Sequence, residues 1–146
     1  MRQLRIRGLP IMIVAAMALG AAACGGGGGI KATLSNFKID LGSSTAKSGE
    51  VTFDIKNDGP SIHEFVVFKT DLAPDQLPTT EENGVTIVDE EGEGIKAIDE
   101  KEDIANGAST SLTVTLAAGK YVLLCNRPQD EGHYEQGMHT AFTVTG

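Results

Sequence analysis

The residues of this 146-residue chain best suited to chemistry are one thiol, two imidazoles and a thioether. Cys125 is followed eight residues later by His133 and five further on by Met138. Of the three histidines, His63, His133 and His139, two fall in this C-terminal stretch. A loop that leaves one strand at Cys125 and returns as the next strand folds all three side chains toward one point. Thiolate and imidazole both bind copper strongly. Two His and one Cys in a plane, with a weak axial Met, suit an ion that alternates between Cu(I) and Cu(II). The second imidazole has to come from elsewhere in the fold. His63 is the histidine outside the C-terminal segment, and it follows the turn signal Asn57-Asp58-Gly59-Pro60 where a strand begins.

Each of these residues also has a purely structural reading. His63 serves as a satisfied strand-end histidine, Cys125 as a small buried hydrophobe, His133 as a loop residue and Met138 as core filler. Taken singly, that reading is the better one for all but Cys125. The order Cys, His, Met with a turn and a His upstream favours copper when the four are taken together. His139 is spare, at the solvent or beside the site, with replacement of one of the ligands as the alternative. Asn126 is placed to support the site by hydrogen bonding near the sulfur, Asn57 suits the turn, and Glu64 brings a negative charge next to His63.

The elements that must position these residues read as strands. From residue 30 onward short alternating segments are divided by Gly and Asn, and no stretch holds a helical period. Ile30, Ala32 and Leu34 alternate, as do Phe37, Ile39 and Leu41, then Val51, Phe53 and Ile55, and later Leu112, Val114 and Leu116. Residues 63–69 are apolar through their middle, as expected of a strand covered on both faces. Residues 121–125 and 141–145 complete an all-β sandwich of six to eight strands. Residues 71–103 differ, carrying 12 of the 20 acids and only Lys96 and Lys101 as cations. They are expected to form a long surface excursion with a helical turn over 71–77 and short edge strands at 85–88 and 95–98. Asp89-Glu90-Glu91-Gly92-Glu93 lacks the ligand spacing of an EF-hand calcium loop and reads as a solvated acidic face.

The front of the chain has the layout of an export signal: Arg2, Arg5 and Arg7, an apolar run over residues 9–23, then Ala21-Ala22-Ala23-Cys24. Fifteen apolar residues are short for a transmembrane helix, which needs about 20. Small residues before Cys24 and five glycines after it resemble a bacterial lipoprotein signal, with Cys24 as the lipidated residue. The expected organisation is a signal at 1–24, a flexible glycine linker at 25–29 and one domain over 30–146. Removing Arg2, Arg5 and Arg7 from the 12 basic residues leaves 9 against 20 acids, a net charge of −11. Nucleic acid is then excluded as a partner, since phosphate backbones need basic surfaces. A basic protein partner fits better, with charge acting on encounter rate. With Cys24 lipidated, Cys125 is a lone thiol in an oxidising compartment, and metal ligation accounts for its presence there.

Residues 57–67 with His63-Glu64-Phe65-Val66-Val67, the run Gly119-Lys-Tyr-Val-Leu-Leu-Cys125-Asn126, and Gly132-His133-Tyr134 followed by Gly137-Met138 resemble a bacterial cupredoxin of the sulfocyanin-like type. The likeness spans residues 30–146. It implies a Greek-key β-sandwich with one type 1 copper, His63, Cys125 and His133 as equatorial ligands and Met138 as the axial one. The pattern departs from this likeness in one place. Seven residues, 126–132, separate Cys125 from His133 where the resembled proteins have four, as though Gln129-Asp130-Glu131 had been inserted.

The expected function is therefore single-electron transfer by a monomer outside the cytoplasm, anchored to the membrane or periplasmic, with a redox protein as partner. Copper handling by a chaperone or resistance factor, and a metal-free interaction module, are the alternatives. Catalysis by the chain alone is not expected, because no Ser-His-Asp, P-loop or paired-carboxylate arrangement stands out and the metal positions are all filled by protein.

Overall fold

The computed structural model describes residues 28–129 and 132–146. The export signal and Cys24 lie outside the described residues. Eleven strands are formed: β1 Ile30–Ser35, β2 Lys38–Leu41, β3 Thr45–Lys47, β4 Gly49–Asn57, β5 His63–Thr70, β6 Thr79–Glu82, β7 Val85–Val88, β8 Ile95–Ile104, β9 Ser109–Leu116, β10 Gly119–Leu124 and β11 His139–Thr145. No helix occurs among the described residues. One sheet has the order β2-β1-β4-β9 and the other β3-β11-β10-β5-β8, with β6 and β7 as a separate hairpin. The pairs β1·β4 and β3·β11 are parallel and the remaining pairs antiparallel.

Strand alternation explains how the two large sheets face each other. In β4, Val51, Phe53 and Ile55 are buried while Thr52, Asp54 and Lys56 point away from the core. In β9, Leu112, Val114 and Leu116 do the same. They meet Phe65, Val67, Tyr121, Leu123, Phe142 and Val144 of the second sheet in the main core. At its centre Phe53 packs on Phe65 and Phe142, with ring centroids 5.2 and 5.3 Å apart.

β5 and β10 are buried on their other face as well. Val66, Phe68, Val122 and Leu124 pack against Leu77, Val88 and Tyr134 in a second, outer core. The apolar run over residues 65–68 is thereby explained, since alternate residues serve different cores. The strand count exceeds the expected six to eight for two reasons. The acidic excursion contributes the hairpin β6–β7, and β3 is an edge piece of three residues, too short to alternate visibly. Where a helical turn was expected over 71–77 there is a β-turn, closed by Gln76 N–H donating to the Ala73 carbonyl at 2.9 Å. The segment 95–98 is the start of a ten-residue strand, β8.

Candidate metal centre

His63 opens β5, and a β-bulge between His63 and Phe65 interrupts its pairing with β8. Bulges beside functional sites re-aim a side chain, and here His63, Phe65 and Val67 all face the main core. Asn57 fixes the loop before it. Its buried amide donates to the carbonyls of Ser61 and Ile104, both at 2.8 Å, and its Oδ1 accepts from Gly59 N–H at 2.9 Å. Asn106 Nδ2 donates to the Gly59 carbonyl as well. Gly59 is required by proximity, since a Cβ there would stand 2.9 Å from Nε2 of His63.

Cys125 follows the last residue of β10, on the same face as Tyr121 and Leu123, so its thiol enters the end of the main core. One main-chain bond ties the returning loop to it and a second closes the loop on itself. Cys125 N–H donates to the Met138 carbonyl and Met138 N–H to the His133 carbonyl, both at 3.0 Å. Gly132, just before His133, has φ +74°, and a Cβ there would lie 2.7 Å from Val85, so glycine is needed on both counts.

These elements bring His63, Cys125 and His133 together, all fully buried. Their donor atoms lie within 4.8 Å of one another. Nδ1 of His133 is 3.2 Å from the Cys125 sulfur and 3.1 Å from Nδ1 of His63, which is itself 3.9 Å from the sulfur. A metal of this size bonds His nitrogen at about 2.0 Å and Cys sulfur at about 2.3 Å, so donors shared by one ion stand about 3 to 4 Å apart, the spacing found. The donor set fits one type 1 copper. Met138 is fully buried in the same core cluster as Cys125. His139 stands apart from the three donors, against the Tyr134 ring at 5.2 Å, and burial lowers its pKa.

The electrostatics of the pocket oppose a free thiolate. Burial pushes the Cys125 thiol up to about 12, against which hydrogen bonds from main-chain N–H groups act only in part. A bound cation would supply the missing charge, since coordination deprotonates a thiol outright. Glu64 N–H already donates to the sulfur at 3.3 Å. The Glu64 side chain turns to the outer side, where it accepts from Asn126 N–H, and burial raises its pKa to about 7.

Two supports sit one residue after a donor: Asn126, expected as a support although its partners were not, and Tyr134, which the sequence did not single out. Asn126 bonds the main chain of Val88 and also donates to Glu90 at 3.1 Å. Tyr134 Oη accepts from Leu77 N–H at 3.2 Å and donates to the Pro74 carbonyl at 2.9 Å. The acidic excursion is thus fastened to the ligand loop at two points, near Leu77 and at Val88. A third neighbour is Phe37, whose ring meets His133 edge-on at 5.6 Å and 77°. Its φ of +56° is left-handed, which costs an ordinary residue about 1–2 kcal/mol.

No family model matches the chain, and no curated protein does. Solved structures match in fold. The chain is similar to a dithionite-reduced auracyanin from the photosynthetic bacterium Roseiflexus castenholzii, with 22% identity, 80% of this chain and 95% of that one covered, and a TM-score of 0.57. The fold is that of the cupredoxins. Auracyanin B aligns at 19% identity over 80% of this chain and 87% of its own, with a TM-score of 0.53. Rusticyanin from Thiobacillus ferrooxidans aligns at 16% over 80% and 75%, with a TM-score of 0.50. A multi-copper oxidase from Pediococcus acidilactici aligns at 13% identity over 98% of this chain and 30% of its own, with a TM-score of 0.50.

Proposed function

We propose that this protein holds one type 1 copper and passes single electrons between redox partners outside the cytoplasm. His63, Cys125 and His133 are the equatorial donors and Met138 the weak axial one. The observation that carries this reading is the convergence of two imidazole nitrogens and one sulfur at fully buried positions on a cupredoxin fold. The bound ion would supply a one-electron couple between Cu(I) and Cu(II).

The chain's own residues hold the donors in one arrangement. The main-chain bonds among Cys125, His133 and Met138 limit how far the donors move between oxidation states. Glu64 N–H, donating to the sulfur, tempers its charge and so the potential. Beside Asn126 lies a groove lined by Glu64, Glu82, Glu90, Glu91, Glu100 and Glu102. It suits a partner with a basic docking surface, which it would steer by long-range attraction. Cys24, as the lipidated first residue of the mature protein, would keep the protein at the outer face of the membrane.

The test is to add one equivalent of Cu(II) to the purified full chain and record visible absorption and EPR spectra. An intense sulfur-to-copper charge-transfer band with narrow copper hyperfine splitting is expected. A colourless product overturns the reading. Transfer of the copper to a chelator without reversible voltammetry would replace electron transfer by copper handling. Mass spectrometry of the N-terminal peptide from membranes tests the anchor, with an acylated Cys24 expected and an unmodified one excluding it.

A further inference from the structure

The two-residue turn Asn36-Phe37, between β1 and β2, carries an aromatic side chain on a left-handed backbone, φ +56°. Asn, Asp and Gly take that conformation readily, and a bulky residue does so rarely. Such an outlier persists where the surroundings hold it and the side chain is needed. The turn is held by the loop that carries His63. Asp58 N–H donates to the Leu34 carbonyl at 2.8 Å, and a Cβ built on Gly59 would lie 3.2 Å from Ser35 and 3.3 Å from Asn36. What the turn presents is the Phe37 ring, edge-on to His133 at 5.6 Å. His133 directs Nδ1 toward Cys125 and is fully buried, while Phe37 is only half-buried. Phe37 thus packs on the imidazole and on the main core while remaining partly open to solvent.

We propose that Phe37 is the cap of the metal centre: a positioning residue that closes His133 off from water and small reagents and fixes the plane of its ring. The strained turn is retained because only a large apolar side chain at this position covers the imidazole. As a cap on a metal ligand this rests on the copper reading, but the shielding of His133 is a property of the chain itself and is measured without metal.

The experiment compares the metal-free full chain with Phe37→Leu, Phe37→Asn and Phe37→Gly. Diethyl pyrocarbonate labelling of His133 is followed by peptide mass spectrometry, with the half-buried His139 as the internal reference and a thermal melt to verify folding. Wild type and Phe37→Leu should label His133 slowly. Phe37→Asn and Phe37→Gly, which adopt the left-handed turn without strain, should remain folded and label it at least tenfold faster. Equal rates in all four chains would overturn the cap, as would an imidazole labelled in wild type as fast as His139. In the copper-loaded proteins, azide should alter the visible spectrum of the Asn and Gly variants but not of wild type. Failure of wild type to form the blue centre would remove copper, while the labelling result would still decide the shielding.

Discussion

Asn126, the residue after Cys125, grips Val88 by both main-chain groups: its Oδ1 accepts from Val88 N–H at 2.7 Å and its Nδ2 donates to the Val88 carbonyl at 3.0 Å. Val88 is buried in the outer core, so neither group has ready access to water when the amide is removed. Asn126→Ala should cost about 2–3 kcal/mol, the penalty for stranding buried polar groups, and should speed copper loss to a chelator. Urea denaturation of the metal-free chain measures the first. A loss below about 0.5 kcal/mol would mean that water replaces the amide.

Tyr134 makes the second fastening. Tyr134→Phe keeps the ring in the outer core but leaves Leu77 N–H without its acceptor. A loss of about 1–2 kcal/mol is expected, with a change in the EPR spectrum of the copper-loaded protein, because the loop bearing His133 is released. An unaltered spectrum would confine Tyr134 to packing.

Cys125→Ser tests the sulfur directly. The hydroxyl is close in size but a far weaker donor to copper, so the charge-transfer band should vanish entirely while the metal-free chain still folds. A persistent intense band would place the thiolate elsewhere.

Glu100 gives a pH signature away from the donors. Burial raises its pKa, and Glu90, Glu102 and Asp99 add to the shift. A carboxyl whose folded pKa lies above its unfolded value binds its proton more tightly in the folded state. Its favourable contribution is therefore present at low pH and is lost as pH rises through the range between the two values. Glu100→Gln should raise the melting temperature near pH 7.5 by a small margin that shrinks toward pH 4 and in high salt. A melting temperature unchanged at pH 7.5 in low salt would show that solvent screens the cluster fully.

The sandwich was legible because its long strands alternate: Val51, Phe53 and Ile55 in β4, and Leu112, Val114 and Leu116 in β9, announce which face is buried. β6 was not, since all four of its residues are exposed and acids supply half of them. The inward turn of the excursion depends on Leu77 and Val88, two apolar positions among many acids, and no periodicity marks so sparse a pattern. The donors near the C-terminus could be read because they are close in sequence and their chemical types are rare. Asn126, Tyr134 and Phe37 act through partners 38, 57 and 96 residues away. Asn126 was named as a support from its place beside Cys125, but residues of these types are common on any surface, so only the folded geometry shows the partners of all three.

The unequal division of apolar residues between two cores has a kinetic consequence. The main core holds eighteen buried residues and the outer one seven, among those described. Segments with few buried partners open at a lower free energy than the whole domain. The layer over residues 71–94 is therefore expected to breathe while the sandwich stays closed, with Leu77 and Val88 amides exchanging with solvent ahead of those in β4 and β10. Because that layer is fastened to the loop carrying two of the donors, each such excursion is also a moment when an ion can pass in or out without the protein unfolding.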